Sequence, residues 1–178
     1  LKNNELKNKA IFLSTQAKDN APHYQHSEIG YNYRLSNISA GIGRGQMEVL
    51  EQRVLQRIEN HHFYKEILTK FVGVKLFSEP NDDFKSNHWL SAILINPKDT
   101  DGVDRENLRL AFDEVNIESR PLWKPMHMQP IFEKAEFFGS NIAENLFNNG
   151  LCLPSGSNLS EQDKKRIQVI LEKMFISK

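Results

Sequence analysis

The sequence has a single cysteine, no long apolar run and no excess of either charge. Cys152 has no second cysteine for an internal disulfide, which favours a reducing compartment such as the cytoplasm. The longest apolar stretches are far shorter than the roughly 20 residues of a membrane-spanning helix. The 23 basic residues balance the 23 acidic ones, so the chain lacks the positive field that a nucleic-acid or anionic-membrane binder uses. We therefore expect a soluble, cytoplasmic protein with no nucleic-acid or membrane partner.

Metal-dependent and nucleophilic chemistry also lack a sequence pattern. Four histidines invite a metal hypothesis, but no carboxylate or cysteine completes a ligand set with them. They are His23, His26, His61 and His62. Cys152 lies in an apolar, strand-like stretch, where a buried thiol usually acts as a small hydrophobic residue. We predict no bound metal and no cysteine nucleophile.

Apolar spacing and capping residues predict an α/β chain in which a small sheet packs with helices. Predicted helices cover residues 6–13, a segment after the N-cap Ser36, Met47 to just before Gly73, a segment from Asp104 to 115, residues 142–148, and a segment after Ser160. Predicted strands cover residues 73–77, 87–96, 117–122 and 151–153, and the second of these should be buried. The small domain is thus preceded by a loop-rich extension and a long amphipathic helix.

The helix after Ser36 is unusual because it contains Gly41, Gly43 and Gly45. Each glycine costs about 1 kcal/mol relative to alanine in a helix interior, so we expect close packing to compensate. The run is not a dinucleotide-binding fingerprint, because it lies inside a helix and not at a strand-to-helix turn.

Two polar loops are candidate binding segments. In the first, residues 30–34, the Asn32 amide and the Arg34 guanidinium suit phosphate oxygens just before a helix N-terminus. The same loop could instead be a surface element whose two tyrosines pack on the domain. In the second, residues 119–127, prolines restrict a stretch that carries Trp123, Lys124 and His127. Its histidine could equally be a hydrogen-bonded structural residue.

Five segments together resemble the DegT/DnrJ/EryC1/StrS aminotransferases. Residues 23–26, 30–37, 40–46, 120–127 and 151–156 read HYQH, GYNYRLSN, AGIGRGQ, RPLWKPMH and LCLPSG. Each piece alone is weak, whereas the ordered set is specific and runs nearly the length of the chain. The sequence looks most similar to the members that aminate a UDP-linked 4-keto-6-deoxy-N-acetylhexosamine on the way to bacillosamine-type sugars.

The resemblance implies the C-terminal small domain of a type I aminotransferase fold, from a homodimer with active sites at the subunit interface. Residues 1–46 would then be a remnant of the large cofactor domain with an interface loop. Residues 47–178 would be the long connecting helix and the small domain. The family's cofactor-binding lysine lies upstream of the matched part, so we expect Leu1 not to be the natural start and the chain alone to be inactive.

For the whole protein, the resemblance implies a pyridoxal 5'-phosphate enzyme that moves an amino group from glutamate to the C4 ketone of a nucleotide-linked sugar. By resemblance, Asn32 reaches the cofactor phosphate of the neighbouring subunit. Arg34 would contact the substrate's phosphate or sugar, and His127, Trp123 and Lys124 would lie near the nucleotide-sugar. Two alternatives are a non-catalytic module that binds a nucleotide-sugar or a protein, and a purely structural domain.

Overall fold

The structure, a computed structural model, describes residues 3–175. Its internal contacts divide it between residues 49 and 50 into two units, called unit 1 and unit 2 below. The helices of unit 1 are α1 (Asn4–Ser14) and α2 (Asn37–Glu48). The elements of unit 2 are α3 (Leu50–Leu68), β1 (Val74–Leu76), β2 (Ser91–Ile95), α4 (Arg105–Asp113), β3 (Arg120–Pro121), α5 (Ile142–Asn149), β4 (Gly150–Leu153) and α6 (Glu161–Met174), with 3-10 turns at Met126–Met128 and Pro130–Phe132.

Unit 1 has almost no core of its own. Among its described residues only Ala17 is buried, and no side chain of α2 is. A β carbon added at Gly41, Gly43 or Gly45 would meet no atom within 4 Å, so the described residues provide no packing partner for the glycine-rich helix. The helix is instead started by Ser36, whose side chain accepts a hydrogen bond from the Ser39 amide at 3.1 Å, as the sequence predicts.

Unit 2 is built on a four-stranded antiparallel sheet in the order β1-β2-β4-β3. Alternate residues of β2 point to opposite faces, which is the geometry of an extended strand. One face, with Ile93 and Ile95, joins a core that also includes side chains of α3, α4, α6 and β4. Its members include Tyr64, Leu68, Leu108, Phe112, Leu151, Leu153, Ile167 and Leu171. Burying one such side chain contributes about 1.5 to 3 kcal/mol, which makes this core the main source of stability in unit 2.

Helix α5 packs on β2 and β4. The side chains of Leu94, Ile142 and Leu146 line one cavity there. Gly150 follows α5 and begins β4, and its lack of a side chain permits the close packing of α5 on the sheet. A β carbon at that position would lie 2.2 Å from the Leu122 side chain and 2.4 Å from the Leu146 carbonyl oxygen.

The predicted elements are present, with several corrected bounds. The helix predicted from Met47 to before Gly73 is interrupted at residue 49, and α3 ends at residue 68. The strand predicted over residues 87–96 covers only 91–95, and the one over 117–122 covers only 120–121. Trp89, predicted to be buried, is 58% exposed because it precedes the strand. Capping boxes at Asp104 and Ser160 begin α4 and α6.

The buried face of α3 also differs from the predicted apolar stripe. Leu68 is buried, as the amphipathic pattern predicts, but Leu50 is exposed, and the polar residues Asn60, His61 and Tyr64 are buried as well. Within residues 3–175 no helix is both long and apolar enough to cross a lipid bilayer. The same residues contain no group of three or more metal-binding side chains.

Candidate functional site

The first candidate loop is held by backbone hydrogen bonds to the end of α1. The Tyr31 amide donates to the Leu13 carbonyl at 2.7 Å, and the Tyr33 amide donates to the Ser14 carbonyl at 3.1 Å. The Tyr31 carbonyl accepts from the Gln16 amide at 3.0 Å. These three bonds involve the residues on both sides of Asn32, so the backbone at Asn32 is fixed.

Close approach at Gly30 completes this attachment. A β carbon at Gly30 would lie 2.1 Å from the carbonyl carbon of Gln16, so the loop can approach α1 this closely only because residue 30 has no side chain. Gln16 and Ala17 themselves have φ values of 71° and 48°, in the left-handed region that L residues rarely adopt. The amide of Ala17 donates to the Phe12 carbonyl at 2.9 Å, which stabilises this unusual end of the helix.

The side chains of Asn32 and Arg34 are exposed. Within the described part of the chain, neither side chain forms a hydrogen bond or a salt bridge. An unused amide and an unused guanidinium are donors that suit a phosphate or a carboxylate. The tyrosine rings of residues 31 and 33 stack on each other with centroids 5.1 Å apart, so they pack mutually and not in a core.

The HYQH segment stabilises the loop before this one. Asp19 Oδ2 accepts hydrogen bonds from Ser27 Oγ at 2.7 Å and from Gln25 Nε2 at 3.1 Å. His26 Nδ1 donates to the Gln16 carbonyl at 2.9 Å. The segment therefore has a structural role in unit 1, which the sequence pattern did not reveal because its partners are up to ten residues away.

The second candidate segment carries three of the predicted residues. The indole rings of Trp123 and Trp89 stack with centroids 6.1 Å apart and an interplanar angle of 29°. Lys124 is exposed, and its ammonium group forms no salt bridge with residues 3–175. The structure thus presents an aromatic face and a cation from one short segment.

His127 is tied to α5 and to the loop before it. Its Nε2 atom lies 3.0 Å from Glu144 Oε1, and its ring stacks on Phe137 with centroids 3.8 Å apart. These contacts give His127 a structural role, which is one of the two roles that the sequence left open. They also connect residues 127 and 137 to the helix.

The structure therefore brings Trp123, Lys124 and His127 together on one segment of unit 2. Asn32 and Arg34 lie together on one loop of unit 1.

Sequence reasoning missed three side chains of α3 that hold the turn between β4 and α6. Tyr64 Oη, Arg57 Nη1 and Asn60 Nδ2 donate hydrogen bonds at 2.7, 3.0 and 2.9 Å. The acceptors are the three successive carbonyls of residues 154–156, within the LCLPSG segment. Residues 57, 60 and 64 share one helix face, so polar residues at this spacing were the available signal.

Arg57 also donates to the carbonyl of Trp89. It thereby joins Trp89 to Ser155, and both of these residues line one cavity of unit 2. Ser155 Oγ accepts from the Ser91 amide at 2.8 Å and donates to the Leu153 carbonyl at 2.8 Å. The walls on either side of the tryptophan pair are thereby tied to α3 and to β2.

A buried histidine pair lies beside this network. His61 and His88 stack with ring centroids 3.8 Å apart, and His88 Nε2 lies 3.0 Å from Glu79 Oε1. Burial, followed by the neighbouring His88, lowers the pKa of His61 from 6.5 to about 4. His61 is therefore neutral at physiological pH. Its contacts to Ser78 Oγ at 3.4 Å and to Ser91 Oγ at 3.5 Å are at the limit for hydrogen bonds.

Comparisons with known proteins identify the class. The sequence model of the DegT/DnrJ/EryC1/StrS aminotransferase family matches residues 1–172, and the chain belongs to this family. The structure is similar to the aminotransferase TlmJ from Streptoalloteichus hindustanus, with a TM-score of 0.79, 17% identity, and coverage of 96% of this chain and 45% of that one. The described chain thus has a type I aminotransferase fold, as expected.

Two curated relatives are more similar in sequence. EpsN of Bacillus subtilis, described as a pyridoxal phosphate-dependent aminotransferase, is 43% identical over 171 residues, which are 94% of this chain and 43% of EpsN. The GDP-perosamine synthase of Escherichia coli O157:H7 is 34% identical over 139 residues, which are 78% of this chain and 36% of that protein. The chain therefore spans less than half the length of the curated relatives that it matches.

Proposed function

We propose that the whole protein is a pyridoxal 5'-phosphate-dependent sugar aminotransferase. It transfers an amino group from glutamate to the C4 ketone of a nucleotide-linked 4-keto-6-deoxy sugar, in the biosynthesis of a surface polysaccharide. The family match over residues 1–172 carries this proposal. The description of EpsN supports the cofactor, and the perosamine synthase supports a nucleotide-sugar substrate. The resemblance to bacillosamine-type enzymes makes a UDP-linked 4-keto-6-deoxy-N-acetylhexosamine the first substrate to assay.

The residues of unit 1 fit the phosphate group of this cofactor. Asn32 offers an exposed amide that is unused within the described residues, on a backbone held by three hydrogen bonds. Such a donor needs no reorganisation before it binds an anion. When bound, pyridoxal phosphate supplies the electron sink for amino transfer. We propose that the protein is a homodimer and that Asn32 holds the phosphate of the cofactor bound to the neighbouring subunit.

The remaining candidate residues orient the substrate. Arg34, whose guanidinium has no partner within residues 3–175, lies two residues from Asn32, and we assign it to a phosphate or sugar oxygen. Trp123 and Lys124 offer an aromatic face and a cation to the nucleotide-sugar. His127 acts on this segment through Glu144 and Phe137, so we assign it mainly to the position of the loop.

As the resemblance implies, we assign residues 1–46 to the cofactor domain and residues 47–178 to the connecting helix and the small domain. From the resemblance we infer that the lysine that bonds the cofactor is not part of this chain, so this chain alone should not catalyse amino transfer. We place the enzyme in the cytoplasm. The buried thiol of Cys152, whose pKa is raised by burial, suits a reducing compartment.

The test uses the whole protein as encoded, with any residues upstream of Leu1. It is incubated with pyridoxal phosphate, glutamate and the UDP-linked 4-keto sugar, and the amino sugar is detected by mass spectrometry. Amino transfer that requires both glutamate and the cofactor supports the proposal. Binding of the nucleotide-sugar without any amino transfer would instead show a non-catalytic binding module.

A matched pair of variants tests Asn32. Replacing Asn32 by alanine removes a hydrogen bond to a charged phosphate, worth about 1.5 to 3 kcal/mol, and should weaken cofactor binding about 10- to 100-fold. Asn8, exposed on α1, is the control, and Asn8→Ala should leave cofactor binding unchanged. Equal affinities in the two variants would remove Asn32 from the cofactor site.

A further inference from the structure

The loop that joins β1 to β2 is separated from α3 by a cavity of about 300 Å³. We call residues 77–90 the β1–β2 loop. The cavity is lined by residues 58, 61, 62 and 65 of α3 and by residues 79, 84–86 and 88 of the loop. Because this space lies between the two elements, the side chains that bridge it decide how firmly the loop is held.

The bridge across the middle of the loop is the stack of His61 on His88. His61 is 3% exposed and His88 is 9% exposed, and their rings lie 3.8 Å apart with an interplanar angle of 21°. Within residues 3–175, the hydrogen bonds between α3 and the loop lie near the loop's two ends, at Ser78 and Trp89. The attachment of the segment between these ends therefore depends on the histidine pair.

The backbone of His88 also depends on this contact. Its φ is 45°, in the left-handed region that residues other than glycine rarely adopt. Such a conformation persists only where the surroundings hold it. The His88 side chain is held by the ring of His61 and by Glu79 Oε1, which lies 3.0 Å from its Nε2 atom. Loss of the stack would remove one of these two contacts.

The charges around the pair balance one positive charge but not two. Glu79 is the acidic residue among those that line the cavity, and its carboxylate is already paired with His88. From β2, the group that faces His61 is the uncharged Ser91 hydroxyl. A second proton on the pair would place two positive charges 3.8 Å apart opposite a single carboxylate. The other ionisable groups at the cavity add to this repulsion and are His62 and Lys65 of α3 and Lys85 of the loop.

We propose that His61 and His88 form a pH-sensitive latch, which fastens the β1–β2 loop to α3 while His61 is neutral and releases the loop once both imidazoles are protonated. The sheet stays folded when the loop is released, because β1 and β2 pair through their own backbone bonds. The latch goes beyond the enzymatic proposal and does not depend on it, since no ligand takes part.

The sign of the pH dependence follows from the burial of His61. In the closed loop, burial and then the neighbouring His88 lower the pKa of His61 to about 4, whereas the imidazole of a released loop titrates near 6.5. The released loop thus binds more protons between these values. The latch holds fully above pH 6.5 and weakens as the pH falls towards 4.

Amide hydrogen exchange of the 178-residue chain, measured by NMR at about pH 7 and about pH 5 and divided by the intrinsic rate at each pH, tests the latch. Glu79 remains ionised at the lower pH, because hydrogen bonds from its own amide and from the Ser86 amide lower its pKa from 4.5. The reporting amides are those of Ser86 and His88, which donate to the Glu79 carboxylate and to the Ser86 hydroxyl. Their protection should fall about 10- to 30-fold at pH 5, while the amides of β2 and β4 keep theirs.

Two results would overturn the proposal. Unchanged protection of the Ser86 and His88 amides would show that the loop is not released. An equal fall in the loop and in the strands would show that unit 2 unfolds as a whole.

Variants identify the group that takes up the proton. His61→Phe keeps a ring that can stack on His88 but cannot be protonated, so the loop should stay protected at pH 5. His62 lines the same cavity but is exposed, and His62→Gln should keep the fall seen in the unmodified chain. Equal falls in these two variants would contradict the latch. Circular dichroism checks that both fold, and if His61→Phe does not, His61→Gln must likewise remove the change of loop protection with pH.

Discussion

The Tyr64 hydroxyl group donates a hydrogen bond of 2.7 Å to the carbonyl oxygen of Pro154, 90 residues later in the chain. Burial raises the pKa of Tyr64, so the hydroxyl keeps its proton and remains a donor. With Arg57 and Asn60, this bond attaches the turn after β4 to α3.

Replacing Tyr64 by phenylalanine should therefore destabilise unit 2. The change leaves the part-buried carbonyl of Pro154 without its donor, which costs about 1 to 3 kcal/mol. Urea unfolding measures the loss. The control is Tyr24→Phe, because Tyr24 is 80% exposed and its hydroxyl forms no hydrogen bond within the described residues. A Tyr64→Phe chain as stable as the control would show that the bond contributes nothing.

The stability of unit 2 should depend on pH through His61. The unfolded imidazole takes up a proton near pH 6.5, whereas the folded one does so only near pH 4. The unfolded state thus binds more protons between these values. The contribution of neutral His61 is complete above pH 6.5 and is lost as the pH falls to about 4. The free energy of unfolding should fall by roughly 2 to 3 kcal/mol over this range from this group.

Urea unfolding at about pH 7.5 and about pH 5 measures this effect. In His61→Gln the fall in the free energy of unfolding should be clearly smaller. The neighbouring His62 is exposed, and His62→Gln should keep the fall seen in the unmodified chain. If the free energy of unfolding of His61→Gln falls as much as that of the unmodified chain, another group causes the fall.

Replacing Gly30 by alanine should displace the loop that carries Asn32. The added β carbon would clash with the Gln16 carbonyl carbon at 2.1 Å, so the loop must move away from α1. Amide hydrogen exchange at Tyr31 and Tyr33 should become faster as their backbone bonds weaken. Gly43→Ala is the control, since a β carbon there meets no atom within 4 Å, and it should stabilise α2 by about 1 kcal/mol. Unchanged exchange in Gly30→Ala would show that the loop is not held by this contact.

The contact between His127 and Glu144 should order the loop over residues 126–141. Glu144→Gln weakens the charge-assisted bond but keeps the size of the side chain, so we expect faster hydrogen exchange in the loop and a loss of about 0.5 to 1.5 kcal/mol. Glu136, exposed in the same loop, forms no salt bridge within residues 3–175, and Glu136→Gln should have no effect. Equal exchange rates in both variants would mean that the Phe137 stack alone holds His127.

Elements whose stabilising contacts are local could be predicted from the order of the amino acids. Ser36, Asp104 and Ser160 begin helices as predicted, because a capping side chain reaches an amide only two or three residues ahead. The sequence also marked the two polar loops and the family, because those depend on residue types in a fixed order.

The contacts between distant segments could not be predicted in this way and are known only from the folded structure. The bonds of α3 to residues 154–156 and the stack of Trp89 on Trp123 join parts of the chain that are 34 to 98 residues apart. Such contacts depend on how the sheet orders its strands and on which helix face packs inward. Helical spacing predicted an apolar face on α3, and Leu68 is buried as expected. Asn60 and Tyr64 are buried as well, because their side chains donate hydrogen bonds to the carbonyls of residues 156 and 154.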